Sequence, residues 1–186
     1  DAGMADMPVG VDYAEELIRY ARTFNGGEGV AFEAANVHEY HPRRPFDIIL
    51  MIGVLHHLEQ PDAALAHMRS LLKPGGWIVA NEPQSANLLV QWARRLRTSL
   101  DSSYSADQQP FAARDLRRVY TRAGLRNVAI KPQGIFSTPL AEVVLKPDVL
   151  AVPAAIAATS ADRLLEAVFG RALTPMSWNL IAAGQS

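Results

Sequence analysis

Apolar residues along this chain follow two alternating patterns. Short apolar runs are typical of buried strands, and apolar residues that recur every three or four positions are typical of amphipathic helices. The clearest run is Phe-Asp-Ile-Ile-Leu-Met-Ile at 46–52. A helical pattern follows at 62–72, and a second apolar run follows at 77–80. A strand, a helix and a strand within about 35 residues indicate a right-handed crossover between parallel strands.

The same alternation continues through the rest of the sequence. Further strands are predicted at 9–12, 30–34, 127–131 and 178–183, and further helices at 14–23, 88–96, 112–123 and 160–173. Strands that alternate with helices in this way build a parallel sheet with helices on its faces. We therefore predict one α/β domain over residues 1–186, with a doubly wound, mostly parallel, Rossmann-like sheet.

The composition is that of an ordinary globular domain, with 186 residues, 49% of them hydrophobic and 20% charged, and a net charge of −1. This balance gives no general attraction to nucleic acid, and no apolar run approaches the roughly 20 residues of a membrane span. The lack of cysteine excludes disulfides, thiolate metal sites and cysteine nucleophiles. The first residues lack the profile of a signal peptide, so we expect a cytoplasmic protein without membrane or nucleic-acid partners.

Polar residues follow three of the predicted strands, at the ends where doubly wound sheets bind ligands. The carboxylate of Asp12 is suited to accept both hydroxyls of a ribose or to cap the helix that starts near Ala14, and these roles are compatible. Asn36 can accept a hydrogen bond from a ligand, or it is a simple turn asparagine. Glu82 is expected to orient a substrate or to be a surface carboxylate.

The strand at 46–52 ends beside Gly53, and two histidines open the turn that follows. A glycine here lets a ligand approach the main chain, because it has no side chain. Neighbouring histidines point in different directions, so we expect no metal at His56 and His57. One of the two is expected to be a hydrogen-bonded structural histidine, and His57 is a candidate proton acceptor toward a substrate.

The amino-acid sequence of residues 46–83 resembles one protein family closely. The pattern FDIILMIGVLHHL…P…AL…LLKPGGWIVANEP looks like the middle of a class I S-adenosylmethionine-dependent methyltransferase. Residues 116–128, LRRVYTRAGLRNV, resemble the late helix and strand of that family. The resemblance implies a transferase with S-adenosylmethionine as cofactor and an antiparallel last strand. It also implies methyl transfer to an oxygen, nitrogen or carbon of a small molecule.

The resemblance also implies roles for particular residues. It places Asp12 on the cofactor ribose and Tyr13 beside the adenine. Asn36, where the family usually has an acid, would accept from the adenine amino group, and Val37 would make the adjacent backbone contact. The methionine part of the cofactor would lie against the backbone of Met51, Ile52 and Gly53.

Two further segments, 84–110 and 139–173, are expected to cover the substrate side of the sheet. Their apolar residues favour a partly hydrophobic small-molecule acceptor. A homodimer is also compatible with the sequence.

The family's Gly-x-Gly-x-Gly loop has no counterpart in these 186 residues. The resemblance places that loop, and the strand before it, upstream of Val9, with the strand lying between those at 9–12 and 46–52. Without it, two inner sheet edges would be unpaired. Three explanations are open: an incomplete reading frame or trimmed chain, which we favour, a degenerate relative with a rearranged sheet, or a strand supplied by a partner chain.

The sequence does not exclude two other functions. The missing loop supports a non-catalytic relative that binds a partner or pairs with an active subunit. A nicotinamide-dependent dehydrogenase is the weaker alternative, because the chain has neither a Gly-rich fingerprint nor a Tyr-x-x-x-Lys pair. Fold alone does not decide among them.

Overall fold

The structure is a computed structural model that describes residues 8–27, 29–87, 110–138 and 148–186. The strands are β1 (Val9–Asp12), β2 (Ala31–Ala34), β3 (Phe46–Ile52), β4 (Leu72–Pro83), β5 (Arg126–Gln133) and β6 (Asn179–Gln185). The helices are α1 (Glu15–Phe24), α2 (Pro61–Ser70), α3 (Ala113–Arg122) and α4 (Asp148–Phe169). Short 3-10 turns follow β3 at Leu55–His57 and α4 at Gly170–Met176. The helix predicted at 88–96, most of the predicted cover segment 84–110, and positions 139–147 of the second segment lie outside the described residues.

The described strands form two sheets. One is the parallel pair β1–β2, and the other has the order β3-β4-β6-β5. β3 and β4 run parallel, whereas β6 is antiparallel to both of its neighbours. This arrangement confirms the predicted α/β class with an antiparallel last strand. Within the described ranges no strand pairs β1 with β3, where the resemblance implies a further strand.

Helices α2 and α3 cover one face of the four-stranded sheet. Their inward residues include Leu65 and Met68 from α2 and Leu116 and Tyr120 from α3, all in the same buried cluster as the sheet residue Ile78. The apolar spacing that predicted these helices therefore marks their buried faces. Burial of these side chains is the main stabilising term for this half of the molecule.

The opposite face of β3 is open in the described structure. Ile48, Leu50 and Ile52 are 57%, 70% and 79% exposed. They alternate with Ile49 and Met51, which point toward the buried cluster. The nearly unbroken apolar run at 46–52 is typical of a strand buried on both faces, but in the described part of the chain only one face is covered.

Helix α4 is anchored to the turn that follows β5. The carboxylate of Asp162 accepts hydrogen bonds from the backbone N–H groups of Ile135, Phe136 and Ser137 at 3.1, 3.0 and 2.9 Å, and from the Ser137 hydroxyl at 2.6 Å. Burial acts to raise the pKa of Asp162, but these hydrogen bonds together outweigh burial and lower it. The apolar spacing of 160–173 predicts an inner face of Leu164, Leu165, Val168, Phe169 and Ala172. This prediction is partly wrong, because Leu164, Val168 and Phe169 are exposed and the buried Asp162 makes the contact.

Among the helices of the described ranges, none combines the length and the apolar character needed to cross a bilayer.

Candidate functional site

The carboxyl ends of β1 and β2 lie side by side. Asp12 is paired with Ala34, and the Ala35 N–H donates to the Asp12 carbonyl oxygen at 2.9 Å. The residues predicted to bind a nucleoside, which are Asp12, Tyr13, Asn36 and Val37, therefore share one sheet edge. This is the edge at which open parallel sheets bind their ligands.

The Asp12 carboxylate is partly used within the protein. Its Oδ1 accepts from the Ala14 N–H at 2.8 Å, just before α1 begins, so the expected capping contact is present. Its Oδ2 makes no hydrogen bond in the described part of the chain. The side chain of Tyr13 beside it is 85% exposed. One carboxylate oxygen and one aromatic ring are thus available to a ligand at this edge.

Asn36 has the local role of a turn asparagine. Its Oδ1 accepts from the His38 N–H at 3.0 Å, and its side chain is exposed. An amide oxygen has a second lone pair, so this contact leaves one acceptor position. Val37 packs against the buried cluster that contains Met51 and Leu55, and it thereby connects the end of β2 to the end of β3.

At the end of β3, main-chain atoms are available to a ligand. The Met51 side chain is buried in the core, so only its main chain is available to a ligand. Gly53 has φ +63°, a left-handed conformation that favours glycine, and its N–H donates to the Asn81 carbonyl oxygen at 2.9 Å. Glycine is therefore required here by the turn itself, in addition to any close approach of a ligand.

Glu82 holds the turn that follows Gly53. Its Oε1 accepts from the N–H groups of Val54 and Leu55 at 3.0 and 2.9 Å. Its Oε2 accepts from the His56 N–H at 3.3 Å and lies 2.8 Å from His56 Nδ1. The side chain is 0% exposed. The expectation of a surface carboxylate is therefore wrong, because Glu82 is buried and both of its oxygens are engaged within the protein. Its role in orienting a substrate stays a prediction.

The two histidines differ in environment, and one of them is hydrogen-bonded within the protein, as expected. His56 is buried against Glu82, whereas the His57 ring is exposed, and the ring centroids are 3.9 Å apart. Partial desolvation lowers the pKa of His57, and the adjacent His56 ring lowers it further. Glu82 opposes this shift in part. The lowered pKa favours the neutral form of the His57 imidazole, which is the form that can accept a proton.

A further polar group near this edge was missed from the sequence. Asn81 pairs with Ile52 across β3 and β4, and its side-chain Oδ1 is buried without a hydrogen bond to any described residue. The alternation of β4 could have identified the inward position of Glu82, since Ile78 and Ala80 are buried on the same face. The sequence contains no comparable pattern that marks the Asn81 oxygen.

The sequence matches the model of a methyltransferase domain over residues 4–130. A ubiquinone biosynthesis O-methyltransferase of Thiobacillus denitrificans is 30% identical over 81 residues, which are 41% of this chain and 35% of that protein. A second such enzyme, from Burkholderia pseudomallei, is 28% identical over 141 residues, covering 72% of this chain and 60% of its own length. The chain therefore spans between about a third and three fifths of these relatives.

Solved structures share the fold. A SAM-dependent methyltransferase of Thermotoga maritima superposes with a TM-score of 0.64 at 16% identity, covering 96% of this chain and 72% of its own.

Proposed function

Because this chain belongs to the methyltransferase-domain family, we propose that it transfers a methyl group from S-adenosylmethionine to a small organic acceptor. We infer further that the acceptor atom is a hydroxyl oxygen. The finer inference is supported by the two O-methyltransferases to which the chain is similar. Family membership is evidence against the dehydrogenase alternative.

The observation that carries the proposal is the set of groups left available at the carboxyl edge of the strands. Asp12 Oδ2 and the exposed Tyr13 ring suit a nucleoside, because a carboxylate accepts from ribose hydroxyls and an aromatic ring stacks on a base. Asn36 and Val37 would lie beside the adenine. The backbone of Met51, Ile52 and Gly53 would face the methionine part.

S-adenosylmethionine supplies a reactive methyl group on a sulfonium, so the protein's main task is alignment and exclusion of water. The neutral His57 ring would accept the proton of the acceptor hydroxyl as the new oxygen–carbon bond forms and the sulfur–carbon bond breaks. The proton then passes to solvent, since the ring is exposed.

A methyl-transfer assay tests the proposal. The chain extended upstream through a Gly-x-Gly-x-Gly loop is incubated with S-adenosylmethionine labelled in the methyl group and with matched phenolic and amine acceptors. We expect label in the methyl ethers of the phenols. Label in the amines alone would contradict the oxygen assignment. Cofactor binding without transfer to any acceptor would favour the non-catalytic relative.

A further inference from the structure

The turn between β3 and α2 has an unusual attachment. The first N–H groups of a helical turn have no partners within it. Within this turn, the His57 N–H donates to the Val54 carbonyl oxygen and the Leu58 N–H donates to the Leu55 carbonyl oxygen. The N–H groups of Val54, Leu55 and His56 have no acceptor within the turn. All three donate to one carboxylate, that of Glu82.

That carboxylate belongs to a different strand, 26 to 28 positions further along the chain. Among the described residues, His56 is the one basic side chain within ion-pair distance of it. Tyr120 of α3 is also close, and burial, followed by the charge of Glu82, raises the pKa of its phenol, which stays neutral. Burial of a carboxylate is costly, and here the hydrogen bonds from three backbone N–H groups and the contact with the His56 ring offset that cost. A role in fixing the turn explains why a carboxylate is present.

We propose that Glu82 is a positioning residue of the methyl-transfer site, which fixes the backbone at Gly53 and the ring of His57 at the carboxyl edge of β3. This inference rests on the proposed function. The three backbone bonds fix the turn, and the contact with His56 Nδ1 fixes that ring. His56 in turn packs on His57, with an angle of 39° between the ring planes. Glu82 thus acts on a ligand only through its neighbours.

Hydrogen exchange on the 186-residue chain tests the geometry without any cofactor. We expect the amides of Val54, Leu55 and His56 to be protected, because each is bound to a buried acceptor. Glu82→Gln retains an oxygen for Val54 and Leu55 but places an amide N–H₂ toward His56. Exchange at the His56 amide should then rise at least tenfold, and its ring nitrogen shifts should report a change of tautomer. Rapid exchange of all three amides in the unaltered chain would overturn the proposal without recourse to any variant.

Cofactor affinity separates a positioning role from a merely structural one. The probe is S-adenosylhomocysteine, measured by calorimetry on the chain extended upstream through a Gly-x-Gly-x-Gly loop. We expect Glu82→Gln to weaken binding at least tenfold while the amides of β4 and β6 stay protected. Asp47→Asn is the matched control, since Asp47 is an exposed carboxylate at the other end of β3. It should change the affinity less than twofold.

The outcomes also separate this inference from the proposed function. If Glu82→Gln binds the probe as tightly as the unaltered protein, Glu82 is structural and the inference is wrong, although the proposed function stands. If the unaltered extended protein does not bind the probe, the proposed function fails and the cofactor part of the inference fails with it. The exchange pattern would still report whether Glu82 fixes the turn.

Discussion

Two adjacent histidines show how the environment of a single residue divides chemical roles. His56 is fixed by the buried Glu82 carboxylate, whereas His57 is exposed and has a lowered pKa. An imidazole with a lowered pKa keeps its neutral form, and hence its capacity to accept a proton, to a lower pH than usual. His57 thus has an environment suited to a general base, and the adjacent His56 has one suited to a structural side chain.

His57→Gln tests this assignment. In the chain extended upstream through the loop, methyl transfer should be constant near neutral pH and should fall only as the pH drops below the lowered pKa of His57, which lies under the usual value of about 6.5. The variant should lose this acid limb and about 100-fold or more in kcat. The pH profile of kcat measures both effects.

His41→Gln is a suitable control for this experiment, because His41 is also exposed but contacts His67 rather than the turn. It should retain both the rate and the acid limb. An acid limb that persists in His57→Gln would assign the proton acceptor to another group.

The contrast between Asp12 and Glu82 shows what sequence can predict at this scale. The position of Asp12 at a strand end was predicted from local pattern, because strand, acid and helix are adjacent in the chain. The role of Glu82 depends on the register between β3 and β4, which places it beneath a turn 26 to 28 residues earlier. The alternation of β4 could have marked Glu82 as inward, but local pattern holds no information on the register that brings it to this turn.

At the level of elements, the helices and strands were predicted better than their ends and exposed faces. Helix α4 was predicted from residue 160 but begins at Asp148 and continues through Pro153. A proline inside a helix normally ends it, and it is tolerated best near the first turn. The start of α4 is therefore the kind of boundary that local propensity places wrongly.

The attachment of α4 gives a prediction about stability. Asp162→Asn replaces one carboxylate oxygen by an N–H₂ group that cannot accept from the amides of Ile135, Phe136 and Ser137. We expect a loss of about 1–3 kcal/mol in the free energy of unfolding, measured by denaturant titration. Glu59→Gln, at an exposed position, should have almost no effect.

The pH dependence of this contact has a definite sign. Because the pKa of Asp162 is lowered in the folded state, its contribution is complete above the unfolded value of about 3.9. The contribution is lost as the pH falls through the lowered folded value. The difference in stability between the unaltered chain and Asp162→Asn should therefore shrink in strongly acidic solution. A difference that is constant with pH would show that the Asp162 charge is not involved.

For the molecule as a whole, each of the two described sheets ends in a strand that lacks a partner among the described strands. β1 and β3 each have an edge unpaired by any described strand, and the open face of β3 bears Ile48, Leu50 and Ile52. On α1, Leu17, Tyr20 and Phe24 are also largely exposed. Unpaired edges next to apolar surface favour association with a further segment or with other chains. This agrees with the expectation of a further strand between β1 and β3.

The 186-residue chain has an incomplete set of contacts for the cofactor. This sequence lacks a Gly-x-Gly-x-Gly loop, whose backbone N–H groups and helix start would hold the methionine part of S-adenosylmethionine. The contacts that it does offer are mainly those of Asp12, Tyr13 and Asn36 with ribose and adenine. A loss of about 4 kcal/mol of contacts weakens binding roughly a thousandfold. We therefore expect weak binding by this chain and tight binding by the chain extended upstream through the loop.

Calorimetry with S-adenosylhomocysteine on both chains measures the difference, and Asp12→Ala in the extended chain is the matched variant. Two hydrogen bonds from ribose hydroxyls to a charged acceptor contribute about 1.5–3 kcal/mol each, so this variant should lose most of the affinity. Micromolar binding by the 186-residue chain would show instead that another part of the molecule has replaced the loop, and unchanged affinity in Asp12→Ala would limit Asp12 to its bond with the Ala14 N–H.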